Sequence, residues 1–419
     1  MAKAKSILVI GGGIIGLCTA YYAVRKGHRV TLVERSAPGH DSCVLGSAGM
    51  IAPSHFVPLA APGMVGMGLR MMWNPESPFY IRPRWSVDLL DWAWKFYRAA
   101  NARHVERSAP LLRDLNLASR RCFEELAEVS GNDFGLVKKG LLMLCQSEHA
   151  LAHEARMAKV SNQLGIPAEV LTSAQTAQRE PAIRMDIAGS VYFPLDCHLT
   201  PQRLVIALMR LLEQSGVQFC WSTEVIGWRS NGNRIEAAKT NGGELSADEY
   251  VLAGGAWSPS VVRELKLRLP MQAGKGYSIT LPDPKGLPNI CSILTEARVA
   301  VTPMGSALRF SGTMEIAGLD QSINPARIKG IVRSVSKYYP EFGAADFEGI
   351  PAWCGLRPCS PDGLPYLGRV GRYPNLSVAT GHAMMGLSLG PITGKLMAEI
   401  LSDQKPSIDL ALLNPDRYG

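Results

Sequence analysis

The sequence has no C-x-x-C pair, no G-x-x-x-x-G-K-[ST] phosphate loop and no block of basic residues. Each absence removes a class of function. Without that cysteine spacing the nine cysteines form no zinc-ribbon pattern, and their odd number argues against a closed disulfide framework. Gly274-Lys275 comes nearest to a phosphate loop, but Gly276 stands where Ser or Thr is required. No Ser/His/Asp arrangement of hydrolase type is legible, and no metal site is expected. The formal charge of +8 is scattered, which suits an anionic substrate or a membrane surface and leaves no nucleic-acid footprint. Repeats, low-complexity tracts and long linkers are missing too. One uncharged run, Ser6 to Val24, follows Lys3 and Lys5 as a signal peptide or membrane span would. Three successive glycines interrupt it and no A-x-A-like cleavage site follows, so a cytoplasmic protein with reduced cysteines is expected.

With 47% hydrophobic and 19% charged residues, the 419-residue chain reads as an ordinary globular protein of two domains. Its N-terminus carries the most specific signal. A strand-like run, Ile7 to Ile10, meets Gly11, Gly13 and Gly16 in G-x-G-x-x-G spacing. A helical segment follows to about Lys26, then a second strand-like run, Val30 to Val33, ending in Glu34. Gly11 permits the turn, Gly13 admits a pyrophosphate to the backbone, and Gly16 lets helix and strand pack closely. The diphosphate then meets free N–H groups at a helix N-terminus, and Glu34 can accept from both ribose hydroxyls. Together these features predict adenine dinucleotide binding.

Further along, Gly46-Ser47-Ala48-Gly49-Met50 reads as a loop passing close to a flat ligand. Residues 62–73 are apolar and rich in Met and Gly; they read either as core or covering loop, or as a membrane- or quinone-facing patch. Residues 86–128 read as helices, with Pro110 beginning a new one, and Phe134 to Cys145 as strands around a turn. Helices are expected at 149–164, from Thr200-Pro201 to about Ser215, at 325–338 and from Gly390 to Leu401. Strands at 274–281, 289–302 and 307–313 suggest a separate, mostly β sheet. Gly-rich strand ends recur at Ala253-Gly-Gly-Ala-Trp-Ser258 and Ala379-Thr-Gly-His-Ala-Met-Met-Gly386. Their spread implies a cofactor domain assembled from discontinuous segments.

These motifs resemble the FAD-dependent D-amino acid oxidase superfamily, in particular its bacterial D-amino acid dehydrogenase and glycine/sarcosine oxidase branch. The resemblance rests on residues 7–34, on 247–258, on Arg309-Phe-Ser-Gly-Thr-Met-Glu315, and above all on Trp353-Cys-Gly-Leu-Arg-Pro-Cys-Ser-Pro-Asp-Gly-Leu-Pro365 and Gly381-His-Ala-Met-Met-Gly-Leu-Ser388. It implies an α/β fold: a Rossmann-like FAD-binding domain from segments 1–60, 150–268 and 346–419. An antiparallel-sheet substrate domain with helices would comprise 61–149 and 269–345.

By position, the resemblance implies FAD contacts from Gly11, Gly13, Ile14, Ile15, Gly16, Glu34, Arg35, Ser47, Ala48 and Gly49. Val225 would hold adenine, and Ala253, Gly254 and Trp257 would flank the dinucleotide. Gly355, Gly381, His382, Met385, Gly386, Leu387 and Ser388 would lie beside the isoalloxazine, whose N1–O2 edge main-chain N–H groups can stabilise. Arg357 matches the arginine that grips the amino acid carboxylate, a planar bidentate donor that stays charged. Tyr277, His382 and His55 are further candidates for the substrate pocket, and Arg309 reads as a support of the fold. Covalent attachment through cysteine is known in sarcosine-oxidase relatives. The attachment position here falls on Gly355, with Cys354 one residue off, so non-covalent FAD is expected.

The implied reaction passes hydride from Cα to flavin N5 and leaves an imine. The substrate would be a D-amino acid, with D-proline or hydroxy-D-proline among the candidates; glycine and sarcosine are the alternative. The electron acceptor stays open between quinone, carrier protein and O2, and the 62–73 stretch favours a dehydrogenase with a peripheral contact at the inner face of a membrane. A tRNA-modifying flavoenzyme and a non-catalytic flavin-binding subunit are the readings of other classes. The first would need a basic aromatic surface and an added domain.

Overall fold

Strand Ser6–Ile10 sits inside a six-stranded sheet, and its alternating side chains sort two cores. Ile7 and Val9 point into one cluster, Leu8 and Ile10 into another, as a period of two requires. The sheet runs Tyr366–Val370, Tyr373–Thr380, Glu249–Leu252, Ser6–Ile10, Arg29–Val33, Gln218–Cys220. Neighbours are parallel except for the hairpin at the 366–370 edge. Helices Ile14–Arg25, Gly390–Leu401, Pro201–Gln214 and Ala102–Ser130 cover one face. The first two approach closely: a Cβ on Gly394 would strike the backbone of Cys18. A three-stranded sheet, Val225–Asn231, Arg234–Thr240 and Gly243–Leu245, closes the other face through Trp228 and Ile235. This is a doubly covered parallel sheet of Rossmann type.

The computed structural model describes residues 3–40, 42–71 and 76–419. A second sheet of nine strands, mostly antiparallel, carries Ala352–Cys359 at one edge beside Gln272–Leu281. Helix Pro325–Tyr338 packs on its far face over Tyr277, Ile279 and Phe310. The fold is therefore the expected α/β architecture, a Rossmann-like unit beside a mostly antiparallel sheet with helices.

Several expected elements fall where the sequence places them, among them Glu148–Gln163, Pro201–Gln214, Pro325–Tyr338 and Gly390–Leu401. Others differ. Pro110 begins no helix: it lies inside Ala102–Ser130, and the break comes at Asn101, whose side chain accepts from the His104 N–H. A proline inside a helix costs about 3 kcal/mol; here Ala109, Leu112, Leu115 and Phe123 bury one helix face, and that packing offsets it. The 134–145 segment holds one strand, Leu141–Cys145, and 289–302 holds two. Helix Met64–Met71 occupies most of the Met-rich stretch, and Met72 and Trp73 lie outside the described residues.

Strand pairing also cuts the chain differently from the expected segments. Glu169–Thr172 and Gly189–Phe193, inside 150–268, pair in the nine-stranded sheet, as does Ala352–Cys359 from 346–419. Helix Ala102–Ser130, inside 61–149, packs instead on Gly390–Leu401. Local sequence shows that a strand exists, whereas its partner is a non-local choice.

Candidate active site

A cleft of about 500 Å³ opens between the two sheets at the carboxyl ends of the parallel strands. One end is the glycine turn. Gly11 has φ +114°, donates to the Val33 carbonyl at 2.8 Å, and lies so near Ala253 that a Cβ would overlap its carbonyl. Gly16 packs as closely on Gly11. Gly13 is different: it caps helix Ile14–Arg25 with no side chain bonded to the helix amides, and nothing lies within 4 Å of where its Cβ would be. The helix N-terminus thus presents free N–H groups to an open wall of the cleft, as a diphosphate requires. Glu34 follows at the strand end, accepting from the Gly12 N–H at 2.7 Å and the Ser36 N–H at 2.9 Å. Arg35 lies over the Trp257 ring at 3.9 Å.

Two buried polar atoms of cleft-lining residues have no hydrogen-bond partner among the described residues: Ser47 Oγ and His382 Nδ1. Unpaired buried polar atoms are costly, so both fit a bound group that supplies hydrogen bonds. Burial pushes His382 down to about 3, and its Nε2 is already paired with Thr393 Oγ1 at 3.0 Å. The imidazole is neutral at any working pH. Arg309 Nη1 donates to the carbonyls of Leu45 and Ser47 at 2.7 and 2.9 Å, tying the 45–47 loop to the second sheet. It supports the fold, as expected.

At the far end stands Arg357. Its guanidinium donates to the Thr313 carbonyl at 2.6 Å, burial lowers its pKa, and no carboxylate pairs with it among the described residues. A Cβ on Gly276 would overlap the guanidinium, and the Trp353 ring fills the gap between Gly46 and Gly355. Sequence reasoning missed Gly276 and Trp353. The available signal was the period of two: Arg357, Gly355 and Trp353 alternate along one strand, and Gly276 faces Gly355 in register.

Of the expected residues, Gly11, Gly13, Ile14, Ile15, Glu34, Arg35, Ser47, Val225, Ala253, Gly254, Trp257, Gly355, Arg357, His382, Gly386 and Leu387 line this cleft. Gly16, Ala48, Gly49, Gly381, Met385 and Ser388 do not. Gly16, Gly49 and Gly381 serve close packing, against Gly11, the Leu199 carbonyl and the Tyr366 ring respectively. Met385 packs against the core. The Ser388 hydroxyl accepts from the Ala52 N–H and donates to Asn116 Oδ1, so it braces the loop from behind.

Two catalytic candidates are corrected. Tyr277 points into the far-face core and donates to Glu315 Oε2 at 2.6 Å, because Gly276 takes the cleft side of that strand. His55 is absent from the cleft wall; it bonds Ser54 Oγ at 3.0 Å, and Ser54 in turn donates to the buried Asp196 through both its N–H and its hydroxyl. Burial lowers His55 to about 4 and raises Asp196 to about 7.

A dinucleotide cradle whose far wall is a second sheet, with Arg357 lacking a carboxylate partner among the described residues, is the arrangement of a flavin-dependent oxidoreductase. A family model described as FAD dependent oxidoreductase (DAO) matches residues 6–400. The chain belongs to that family, and FAD is its cofactor. Curated relatives include the D-amino acid dehydrogenases of Granulibacter bethesdensis and Bradyrhizobium diazoefficiens, each 32% identical, with 99% of this chain and of each relative covered. Among solved structures, glycine oxidase from Geobacillus kaustophilus superposes with a TM-score of 0.79 at 24% identity, covering 99% of both chains. L-Proline dehydrogenase from P. horikoshii gives 0.75 at 18%, covering 100% of this chain and 98% of that one. Both structural likenesses show the fold.

Proposed function

We propose that the protein is a D-amino acid dehydrogenase, oxidising the Cα–N bond of its substrate to an imine. The observation that carries the substrate class is Arg357, a half-buried cation facing the cleft with a carbonyl partner and no carboxylate partner among the described residues. Burying an unpaired charge is costly, and a substrate carboxylate arriving in bidentate geometry offsets that cost. The curated relatives support the D configuration and the dehydrogenase reading.

FAD, when bound, supplies the two-electron acceptor. The chain supplies placement. Arg357 fixes the carboxylate, Trp353 and Leu356 wall the cleft beside it, and the Cα–H is thereby held in one orientation. The acidic residues of the cleft wall, Glu34 and Glu224, both stand at the dinucleotide end. Among the described residues no carboxylate is therefore placed to act as base, and in this reading the amine reacts in its neutral form. The imine hydrolyses to a 2-oxo acid and ammonia, or stays cyclic if the substrate is a proline derivative. In this reading FAD is held without a covalent bond: Cys354 reaches the cleft wall, but its thiol donates to the Gln321 carbonyl at 2.9 Å.

The electron acceptor in this reading is a quinone or carrier protein, met at the inner face of a membrane. No helix among the described residues is long and apolar enough to cross one. The cysteines form no disulfide among the described residues, which suits a reducing compartment.

The test is a screen of D- and L-amino acids, glycine and N-methyl amino acids with the FAD-loaded enzyme, using a dye acceptor and oxygen in parallel. Turnover of a D-amino acid, faster with dye than with oxygen, is expected. Arg357→Leu should raise KM about 100-fold or more while FAD is retained. Preference for glycine or sarcosine, or an unchanged KM in that variant, would overturn the reading. Anaerobic bleaching by no amino acid would point to a non-catalytic flavin subunit.

A further inference from the structure

Helix Val87–Ala99 has two apolar faces, and the fold uses one. Leu89 and Trp92 are buried against Met314, Ile316 and Cys359, with Trp92 Nε1 donating to the Cys359 carbonyl at 2.9 Å. Val87, Leu90, Trp94 and Tyr97 project on the opposite side, within an arc of about 80° at 100° per residue. All four are exposed, at 82, 60, 60 and 62%, and Trp85 just before the helix is 100% exposed. The Trp94 and Tyr97 rings stack on each other at 6.0 Å and stay exposed among the described residues. An ordinary surface helix sets charged residues on this side.

We propose that this face docks on an anionic lipid surface. The inference deepens the membrane-proximal reading above and rests on it only for its purpose. Charge complementarity carries the choice of occupant. Arg98, Arg103 and Arg107, at the end of this helix and the start of the next, are exposed and make no ion pair among the described residues. Of the neighbouring acids, Asp91 is paired with Lys95 and Arg268, and the exposed Asp88 and Glu106 are outnumbered by Arg98, Arg103 and Arg107, so the surface stays positive in balance. Indole and phenol rings beside unpaired arginines suit the boundary between headgroups and acyl chains. A second copy fits less well, since two such faces would bring arginine rims of like charge together. Cys359 lies two residues beyond Arg357 on the same strand, so docking would set the substrate end of the cleft one layer from the lipid.

The test uses the FAD-loaded full chain with sucrose-filled vesicles of phosphatidylcholine, with or without phosphatidylglycerol. Cosedimentation with the anionic vesicles is expected, released by salt and about tenfold weaker on the neutral ones. A Trp85→Ser/Trp94→Ser double variant should lose about tenfold in partitioning while its dye-coupled activity in solution is unchanged. Should that variant misfold, quenching of the wild-type tryptophan fluorescence by bromine-labelled lipid gives the same answer. Absence of binding or quenching at low salt overturns the proposal. So does a concentration-dependent dimer that the double variant abolishes. Vesicle binding and amino acid turnover are separate readouts, so failure of one leaves the other standing.

Discussion

Arg357 is held by the carbonyl of Thr313, at 2.6 Å, and Thr313 presents that carbonyl from a left-handed backbone with φ +70°. The conformation comes from a bulge. Register jumps from Lys275↔Glu315 to Tyr277↔Gly312, so Thr313 and Met314 together oppose Gly276. A β-branched residue at positive φ costs about 1–2 kcal/mol, and bulges near active sites commonly re-aim a group. Here the group is a carbonyl that draws the guanidinium over Gly276.

That arrangement makes Gly276 a sensitive position. Gly276→Ala inserts a methyl where the guanidinium lies, so Arg357 must move. KM for the amino acid should rise about tenfold or more with FAD content unchanged. Steady-state kinetics beside the flavin absorbance spectrum reads both. An unaltered KM would mean the clamp has room the structure does not show.

Tyr277→Phe should behave in the opposite way. The hydroxyl serves Glu315 in the far-face core, where burial and that carboxylate raise its pKa. Removing it leaves Glu315 short of a donor, a loss of about 1–3 kcal/mol in stability. Activity per folded molecule should stay within about twofold of wild type. Thermal unfolding and kcat/KM measured on one preparation separate the two; a large fall in kcat/KM at unchanged Tm would restore Tyr277 to the catalytic site.

Asp196 predicts a pH dependence. Burial raises its folded pKa to about 7, from an ordinary 3.8. Between those values the folded protein keeps a proton that the unfolded chain releases, so stability falls as pH rises through that window and is level above it. The loss amounts to roughly 4 kcal/mol. His55 and His198, both lowered to about 4, act with the opposite sign up to pH 6.5, so the comparison must be with Asp196→Asn. The Tm of that variant should gain on wild type steadily from pH 4 to pH 7. Parallel Tm curves would refute the buried carboxylate.

The dinucleotide turn was legible because it is local: glycines, helix start and acid all lie within residues 7–34. Helix Gly390–Leu401 was legible for the same reason, a proline at its first turn and an apolar length to its end. The side of the strand at Tyr277 was not. Residues 272–278 are buried on both faces, so no polar alternation marks which of Gly276 and Tyr277 meets the cleft. Asn101 outranked Pro110 as a helix start because its side chain caps an amide, and the surrounding packing tolerates the proline. Strand partners at 169–172 and 189–193 are long-range choices that no local pattern encodes.

The central parallel strands come from both extremes of the chain. Ser6–Ile10 is made well before its neighbour Glu249–Leu252 and the strand beyond it, Tyr373–Thr380. The nascent glycine turn therefore waits for these later segments before the walls at Ala253 and His382 can enclose a coenzyme. The coenzyme cleft is therefore complete only when these distant segments have come together, and the glycine turn alone forms just one of its walls.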